Sequence, residues 1–349
     1  MIAVVVKEGG VLEVQDVPEP GPGPNQIKVK IAYAGICGSD PKIIEAKGMP
    51  EPPQGAIGWP QKTLPTISTG VRILGHEASG TIVTIGKDVK GDFKVGQRVA
   101  MDCRSTCGSC YYCQNKMEHF CIKVTKFMGL MAEYAVFNEN VVFPLPDDLP
   151  LDTGAFLEPV SIAVHALDIA KVKVGDSVII TGGGTIGLLA MQLAIKSGAS
   201  QVLVSEPIAQ KRKLAKLLGA DVVVDPFTED LLALSNKLTD GRGFNVCIEA
   251  CGITSIARQL ILLAERCGTI VWAATYPFGL DLGVPIDYMY SRELSIHSVF
   301  SSPYSFPRAL QIMPKLDLKQ LITVYPLKDA VKAFKDYKMG KGIKIMLQP

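Results

Sequence analysis

Val178-Ile179-Ile180-Thr181 runs directly into Gly182-Gly183-Gly184-Thr185-Ile186-Gly187, and the stretch Ile186–Lys196 that follows carries its apolar residues at helical spacing. A short β-prone run, glycines at 182, 184 and 187, and then a helix make the G-x-G-x-x-G pattern in the context that gives it meaning. The first glycine permits a tight turn. The second lets backbone approach a pyrophosphate, and the third lets helix and strand pack closely, with the helix N-terminus aimed at the anion. Gly182, Gly184, Ile186 and Gly187 are therefore candidate cofactor contacts.

Downstream, the next apolar run ends in Glu206, about 20 residues on, where a carboxylate accepts hydrogen bonds from the adenosine ribose and repels a 2′-phosphate. This favours NAD over NADP. Lys211 and Arg212 lie close by as cations that could accommodate the phosphate, or as solvated charges on the following helix. Further short apolar runs at Val202–Ser205, Val222–Val224, Val246–Glu249, Thr269–Ala273 and Leu294–Val299 alternate with helical stretches such as Ala209–Leu218. That alternation predicts a doubly wound parallel sheet.

Upstream, the pattern is different. Ile27–Ala32, Thr81–Ile85, Arg98–Met101 and Tyr134–Phe137 are short runs separated by glycine and proline, which predicts an irregular β-rich region. The 349 residues suit two or three domains of roughly 100–200 residues. A net charge of +2, without basic blocks, argues against nucleic acid or a membrane surface as partner. The N-terminus meets charge too early for a secretory signal, and no apolar run approaches the ~20 residues of a membrane span. The expectation is a cytoplasmic protein in which the nine cysteines are read as metal ligands before disulfides.

The most specific cysteine pattern is Cys107-x2-Cys110-x2-Cys113-x7-Cys121. Four closely spaced thiolates can close a tetrahedron around Zn²⁺, a structural site without an open position. An iron–sulfur cluster or two disulfides would use the same residues, but nothing else in the chain suggests electron transfer. Cys103, Cys247, Cys251 and Cys267 are read as small core residues.

Three further strings remain: Gly35-Ile36-Cys37-Gly38-Ser39-Asp40, Gly75-His76-Glu77, and Glu158-Pro159. Singly, each has an ordinary reading as a buried thiol, a satisfied histidine or a surface charge. In their order, with the cysteine lobe, the Glu-Pro-x-Ser-x-x-x-His-Ala string, the glycine loop and the closing Gly340–Met346, they resemble the motif series of zinc-containing medium-chain dehydrogenases/reductases. The likeness runs from end to end and is strongest to the sorbitol, galactitol-phosphate, butanediol and threonine dehydrogenase branch.

The resemblance implies an α/β protein with a GroES-like β-rich catalytic domain over 1–157, completed by 297–349, and a Rossmann domain over 158–296. It implies Cys37 and His76 as catalytic zinc ligands, with Glu77 or Glu158 as the third. Ser39 would be the first member of a proton relay, and a second, structural zinc would sit in the lobe, for about two per chain. It also implies hydride transfer between an alcohol and the nicotinamide, and a homodimer or homotetramer.

Two departures bear on substrate. Lys42 stands where relatives often have a relay histidine, and is either a contact for an anionic substrate or a solvated lysine. The gap between Cys37 and His76, around residues 48–72, is longer than usual and lies beside the expected active site. The expected substrate is a secondary alcohol of a polyol, cyclitol or sugar, phosphorylated or free. Small-diol and amino-alcohol dehydrogenases, and a non-catalytic NAD- and zinc-binding protein, are the alternatives.

Overall fold

The computed structural model describes residues 1–44, 72–126, 129–276 and 281–349. The insertion singled out above falls almost wholly outside the described residues, as does the side chain of Lys42.

Alternation of apolar and polar residues builds the first unit, Met1–Glu158 with Leu318–Pro349. In the strand Gln26–Gly35, Ile27, Val29 and Ile31 are buried while Lys30 faces out, the period-two pattern of a sheet with one covered face. This strand pairs antiparallel with Ala78–Ile85, with Tyr134–Asn138 and with the C-terminal strand Lys344–Gln348. Arg98–Met101 and Val142–Pro144 extend the same sheet on one side and Ile322–Pro326 on the other. Phe137, Ile82, Ile345 and Leu347 fill the core beneath. At about 1.5–3 kcal/mol for each fully buried large apolar side chain, such a cluster outweighs any local propensity in holding the strands in register.

The second unit, Pro159–Asp317, carries a six-stranded sheet of parallel pairs. Its order is Val222–Val224, Gln201–Ser205, Ser177–Thr181, Phe244–Glu249, Ala264–Trp272, Ser295–Ser298. Numbered along the chain this is 3-2-1-4-5-6, the dinucleotide-binding arrangement, and its order reverses between Ser177–Thr181 and Phe244–Glu249. Ile179, Leu203, Phe244, Leu260 and Ile270 form its core. The fold is thus the expected α/β combination of a β-rich GroES-like unit and a Rossmann unit. This second unit continues through the helix Phe306–Ile312 to Asp317 before the chain rejoins the first, whereas the sequence reading ended it at 296.

Two cysteines depart from expectation. Cys103 and Cys247 are buried, but Cys251 and Cys267 are exposed. Cys251 follows the end of a strand, in the turn that leaves the sheet, and Cys267 adopts φ +59 within an irregular part of Ala264–Trp272. Apolar neighbours in sequence do not bury a residue where the strand geometry breaks. Among the described residues no helix is long and apolar enough to cross a membrane.

Candidate active site and metal centres

The first cluster is stitched together at the central strand of the first unit. Beyond Gly35 the chain turns so that the Cys37 N–H donates to Asp40 Oδ2 at 2.8 Å, and the Asp40 N–H donates back to the Cys37 carbonyl at 3.1 Å. Asp40, wholly buried, opens the short helix Asp40–Ile44, and Ser39 sits half-buried in the turn before it. His76 and Glu77 immediately precede the neighbouring strand, in which Ala78 pairs with Ala34. Gly75 makes the approach possible. Its φ is +97, and a Cβ there would meet the Met131 backbone nitrogen at 2.8 Å. The C-terminal strand completes the site, with Met346 opposite Gly35 and the Ile36 N–H donating to the Ile345 carbonyl at 2.9 Å.

In this arrangement one ligand atom each of Cys37, His76 and Glu77 lie within 4.8 Å of one another. Asp40 Oδ1 lies 3.4 Å from His76 Nδ1; both atoms are buried, and neither makes an aligned hydrogen bond among the described residues. Glu77 is buried and ion-paired with Lys344, itself 1% exposed, which also donates to the Ile36 carbonyl at 3.1 Å. Glu158 opens the helix Leu157–Ala170 and is not among the three clustered ligands.

The electrostatics of this cluster suit a cation. Burial works against the His76 imidazolium, but the negative charges of Cys37 and Asp40 overrule it and raise the pKa well above the usual value. Burial, then the Glu77 charge, pushes the Glu158 carboxyl up to about 7. A thiolate, an imidazole and a carboxylate crowded into a buried, negatively biased site form a donor set that Zn²⁺ accepts, with a fourth position left over. The oxygen ligand keeps harder divalent metals in play.

The second cluster is local. Cys107, Cys110, Cys113 and Cys121 lie in a lobe closed at its base by the hairpin pair Arg104–Ser105 and Thr125–Lys126. The Cys107–Cys121 and Cys110–Cys113 Sγ pairs are each 3.5 Å apart, and Cys107–Cys113 is 3.9 Å. A zinc–sulfur bond of about 2.3 Å places tetrahedral sulfurs roughly 3.8 Å apart, whereas a disulfide needs about 2.05 Å. The cysteines are free thiols spaced for a metal. Backbone N–H groups, that of Ser109 first, bring the Cys107 thiol down to about 6, and the Cys107 and Lys123 N–H groups each approach Cys121 Sγ at 3.4 Å.

In the second unit Gly182 has φ +99, and a Cβ on Gly187 would collide with the Gly182 carbonyl oxygen. Gly184 caps the helix Thr185–Lys196, and a Cβ there would project into open space. Ile186 is in the first turn of that helix. Glu206 is buried, accepting from the Gly183 N–H at 2.7 Å and the Ile208 N–H at 2.9 Å. Arg212 donates to the carbonyls of Glu206 and Pro207 at 2.8 and 2.6 Å and pairs with Asp225 at 3.0 Å, so its charge is already compensated.

Sequence reasoning did not assign roles to Asp40 and Lys344. Asp40 closes the stretch Gly35–Asp40, where an aspartate three residues after a cysteine carries no spacing signal of its own. Lys344 interrupts the apolar run Ile343-Lys344-Ile345-Met346-Leu347, and strand alternation across that run was the available signal for a buried charge in need of a partner.

Comparison with known proteins agrees with this anatomy. Residues 23–147 match the alcohol dehydrogenase GroES-like domain, and residues 185–315 match the zinc-binding dehydrogenase domain. The chain is 32% identical to D-arabitol-phosphate dehydrogenase of Enterococcus avium, over 95% of its own length and 92% of that protein's. It is 30% identical to sorbitol dehydrogenase of Bos taurus, covering 99% and 96%. A zinc-binding dehydrogenase of Sinorhizobium meliloti, solved bound to NADP, superposes with a TM-score of 0.87 at 29% identity, covering 100% of this chain and 99% of that one. With both domains matched and both cysteine-bearing clusters formed, the chain belongs to the zinc-dependent medium-chain alcohol dehydrogenase family and is an oxidoreductase that works with zinc and a nicotinamide cofactor.

Proposed function

We propose that the protein oxidises a secondary alcohol of a polyol, cyclitol or sugar, phosphorylated or free, with NAD as hydride acceptor. The observation that carries this reading is the Cys37, His76 and Glu77 cluster, a mixed donor set with one position to spare, in a chain that also carries a dinucleotide loop. The relatives named for arabitol phosphate and sorbitol support the polyhydroxylated class. Zinc held by this cluster would supply a Lewis acid that lowers the pKa of an alcohol, and a nicotinamide cofactor would supply the hydride acceptor.

The remaining work belongs to the chain's own residues. Cys37, His76 and Glu77 are the proposed ligands, with Glu158 the alternate carboxylate. Asp40 orients the His76 ring from its Nδ1 side, as carboxylates behind metal-bound histidines do. Lys344 holds the Glu77 carboxylate through their ion pair. Ser39, in the turn between Cys37 and Asp40, is the proposed first member of a proton relay: its hydroxyl takes the alcohol proton while passing its own on toward solvent. The four cysteines of the lobe hold a second zinc that keeps the lobe folded and takes no part in chemistry. Gly182, Gly184, Ile186 and Gly187 receive the pyrophosphate, and Glu206 receives the ribose hydroxyls. Compensation of Arg212 by Asp225 supports NAD, because it leaves the Glu206 carboxylate to set the local sign.

The test is a panel of polyols, cyclitols, sugar-alcohol phosphates and simple alcohols run with NAD and with NADP. Polyhydroxylated substrates should exceed ethanol and 2-propanol by at least about a hundredfold in kcat/KM, because an analogue without the hydroxyls leaves polar groups of the site unpaired. Glu206→Ala should raise the KM for NAD about tenfold and narrow the gap to NADP. A parent enzyme that prefers NADP would overturn the cofactor assignment. Absence of turnover with every alcohol would favour the non-catalytic alternative.

A further inference from the structure

A second carboxylate, besides Glu206, is buried at a strand end of the Rossmann sheet. Glu249 closes the strand Phe244–Glu249, where the strand order reverses beside Ser177–Thr181, and it is 0% exposed. Its Oε1 accepts from the Cys251 N–H, the Gly252 N–H and the Cys251 thiol, each at 2.7 Å. Its Oε2 accepts the Tyr276 hydroxyl. These four donors include no cation, and Glu249 has no ion pair among the described residues. A buried carboxylate held without a cation is costly, and it persists only where several donors converge on it. The donors come from two segments, the turn after one strand and the chain beyond the next, for Tyr276 follows the strand Ala264–Trp272, whose Trp272 lies opposite Glu249.

The turn held by Glu249 forms the wall of the glycine loop. A Cβ on Gly182 would meet the Ala250 backbone at 3.0 Å and the Cys251 Cβ at 3.1 Å, so loop and turn are already at van der Waals contact. On the far side, Gly252 has φ +74 and a Cβ there would meet the Thr275 carbonyl at 2.7 Å, which presses the turn against the segment carrying Tyr276. Ligands of open α/β sheets bind outside the carboxyl ends of the strands at the order reversal, which is where this assembly stands.

We propose that Glu249 and Tyr276 are positioning residues for the cofactor: the carboxylate locks the Ala250–Gly252 turn against Gly182, and the Tyr276 hydroxyl locks the neighbouring segment to the same carboxylate. This rests on the glycine loop being the cofactor site. The Glu206 side of the loop and the Glu249 side are then built alike, each a buried strand-end carboxylate gripping backbone N–H groups. Small displacements of a positioned reactant carry large kinetic consequences, so the effect falls on cofactor affinity before it falls on the fold.

Tyr276→Phe tests this without emptying the core, since it removes one oxygen. Tyr288→Phe, which removes the hydroxyl that donates to the Leu262 carbonyl at 3.3 Å in the same unit, is the control. NADH binding is read from protein fluorescence, alongside cofactor KM, kcat at saturating cofactor, and Tm. The expected result for Tyr276→Phe is a Kd and cofactor KM raised about tenfold, with kcat within about twofold and Tm matching the control. Glu249→Gln, which cannot accept from all four donors, should shift Kd further in the same direction. A Kd for Tyr276→Phe within about twofold of the parent, whatever Tm does, would overturn the proposal. Failure of the parent protein to bind either NADH or NADPH would instead overturn the assignment of the cofactor site itself.

Discussion

The cysteine lobe and the Cys37 cluster are both candidate zinc sites, yet they are built on opposite plans. The lobe draws all four ligands from Cys107 to Cys121, a single excursion of chain whose own turns and backbone N–H groups bring the sulfurs together. The Cys37 cluster takes its ligands from the ends of two neighbouring strands, and a third, the C-terminal strand, brings Lys344 from far away in sequence to pair with Glu77. A local site can be closed and identical in its ligands because its purpose ends with holding a metal. A site assembled from distant strands can mix ligand types, leave a position open and surround the metal with groups that tune it.

The sharpest way to break this comparison is to remove one ligand from each site. Cys37→Ala should lose one of about two zinc ions and reduce turnover by about a thousandfold or more while the fold persists. Cys110→Ala should lose the other zinc and much of the stability, with activity surviving in the fraction that stays folded. Metal analysis, circular dichroism and initial rates read all three quantities. One zinc in the parent protein, or a Cys110→Ala variant as stable as the parent, would show that the two sites do not divide the labour in this way.

Lys344→Met probes the long-range part of the Cys37 cluster. In the zinc-free protein it strands the buried Glu77 carboxylate, and destabilisation of about 3–5 kcal/mol is expected in denaturant unfolding after chelation. Pairing it with Glu77→Leu should recover most of that stability without recovering activity, because the cost lies in the unpaired charge rather than in lost packing. Equal stability of single and double variants would mean that Lys344 matters by shape alone.

The smallest effect is expected from Asp40→Asn. It keeps the size of the side chain and removes the charge facing His76, so zinc affinity or kcat should fall about 10–100-fold with the fold intact. Zinc content after graded chelation separates the two, and an unchanged chelation profile together with unchanged kcat would remove Asp40 from the machinery.

How far each region could be read in advance follows the same division. The Rossmann strands emerged from apolar runs nearly residue for residue: Val178–Thr181 is Ser177–Thr181 in the structure, and Val202–Ser205 is Gln201–Ser205. Thr269–Ala273 was the exception. The strand begins at Ala264, but Glu265, Arg266, Cys267 and Gly268 are not an apolar run, and the ladder to its neighbour shifts register between Phe244 and Val246. A period-two signal fails where the backbone itself is irregular. That irregularity also put Cys267 on the surface.

The amino-acid sequence alone determined the fold class, the glycine loop with its strand-end Glu206, and the four-cysteine lobe, because each is carried by near neighbours whose spacing is set by backbone geometry. Only the tertiary structure decided that Lys344 faces Glu77, that Asp40 backs His76, that Glu77 rather than Glu158 joins Cys37 and His76 within 4.8 Å, and that Glu249 gathers donors from two segments. These relations depend on which strands lie side by side and in what register. A register shift of one residue turns a side chain to the opposite face of the sheet, and register is settled by the packed core as a whole.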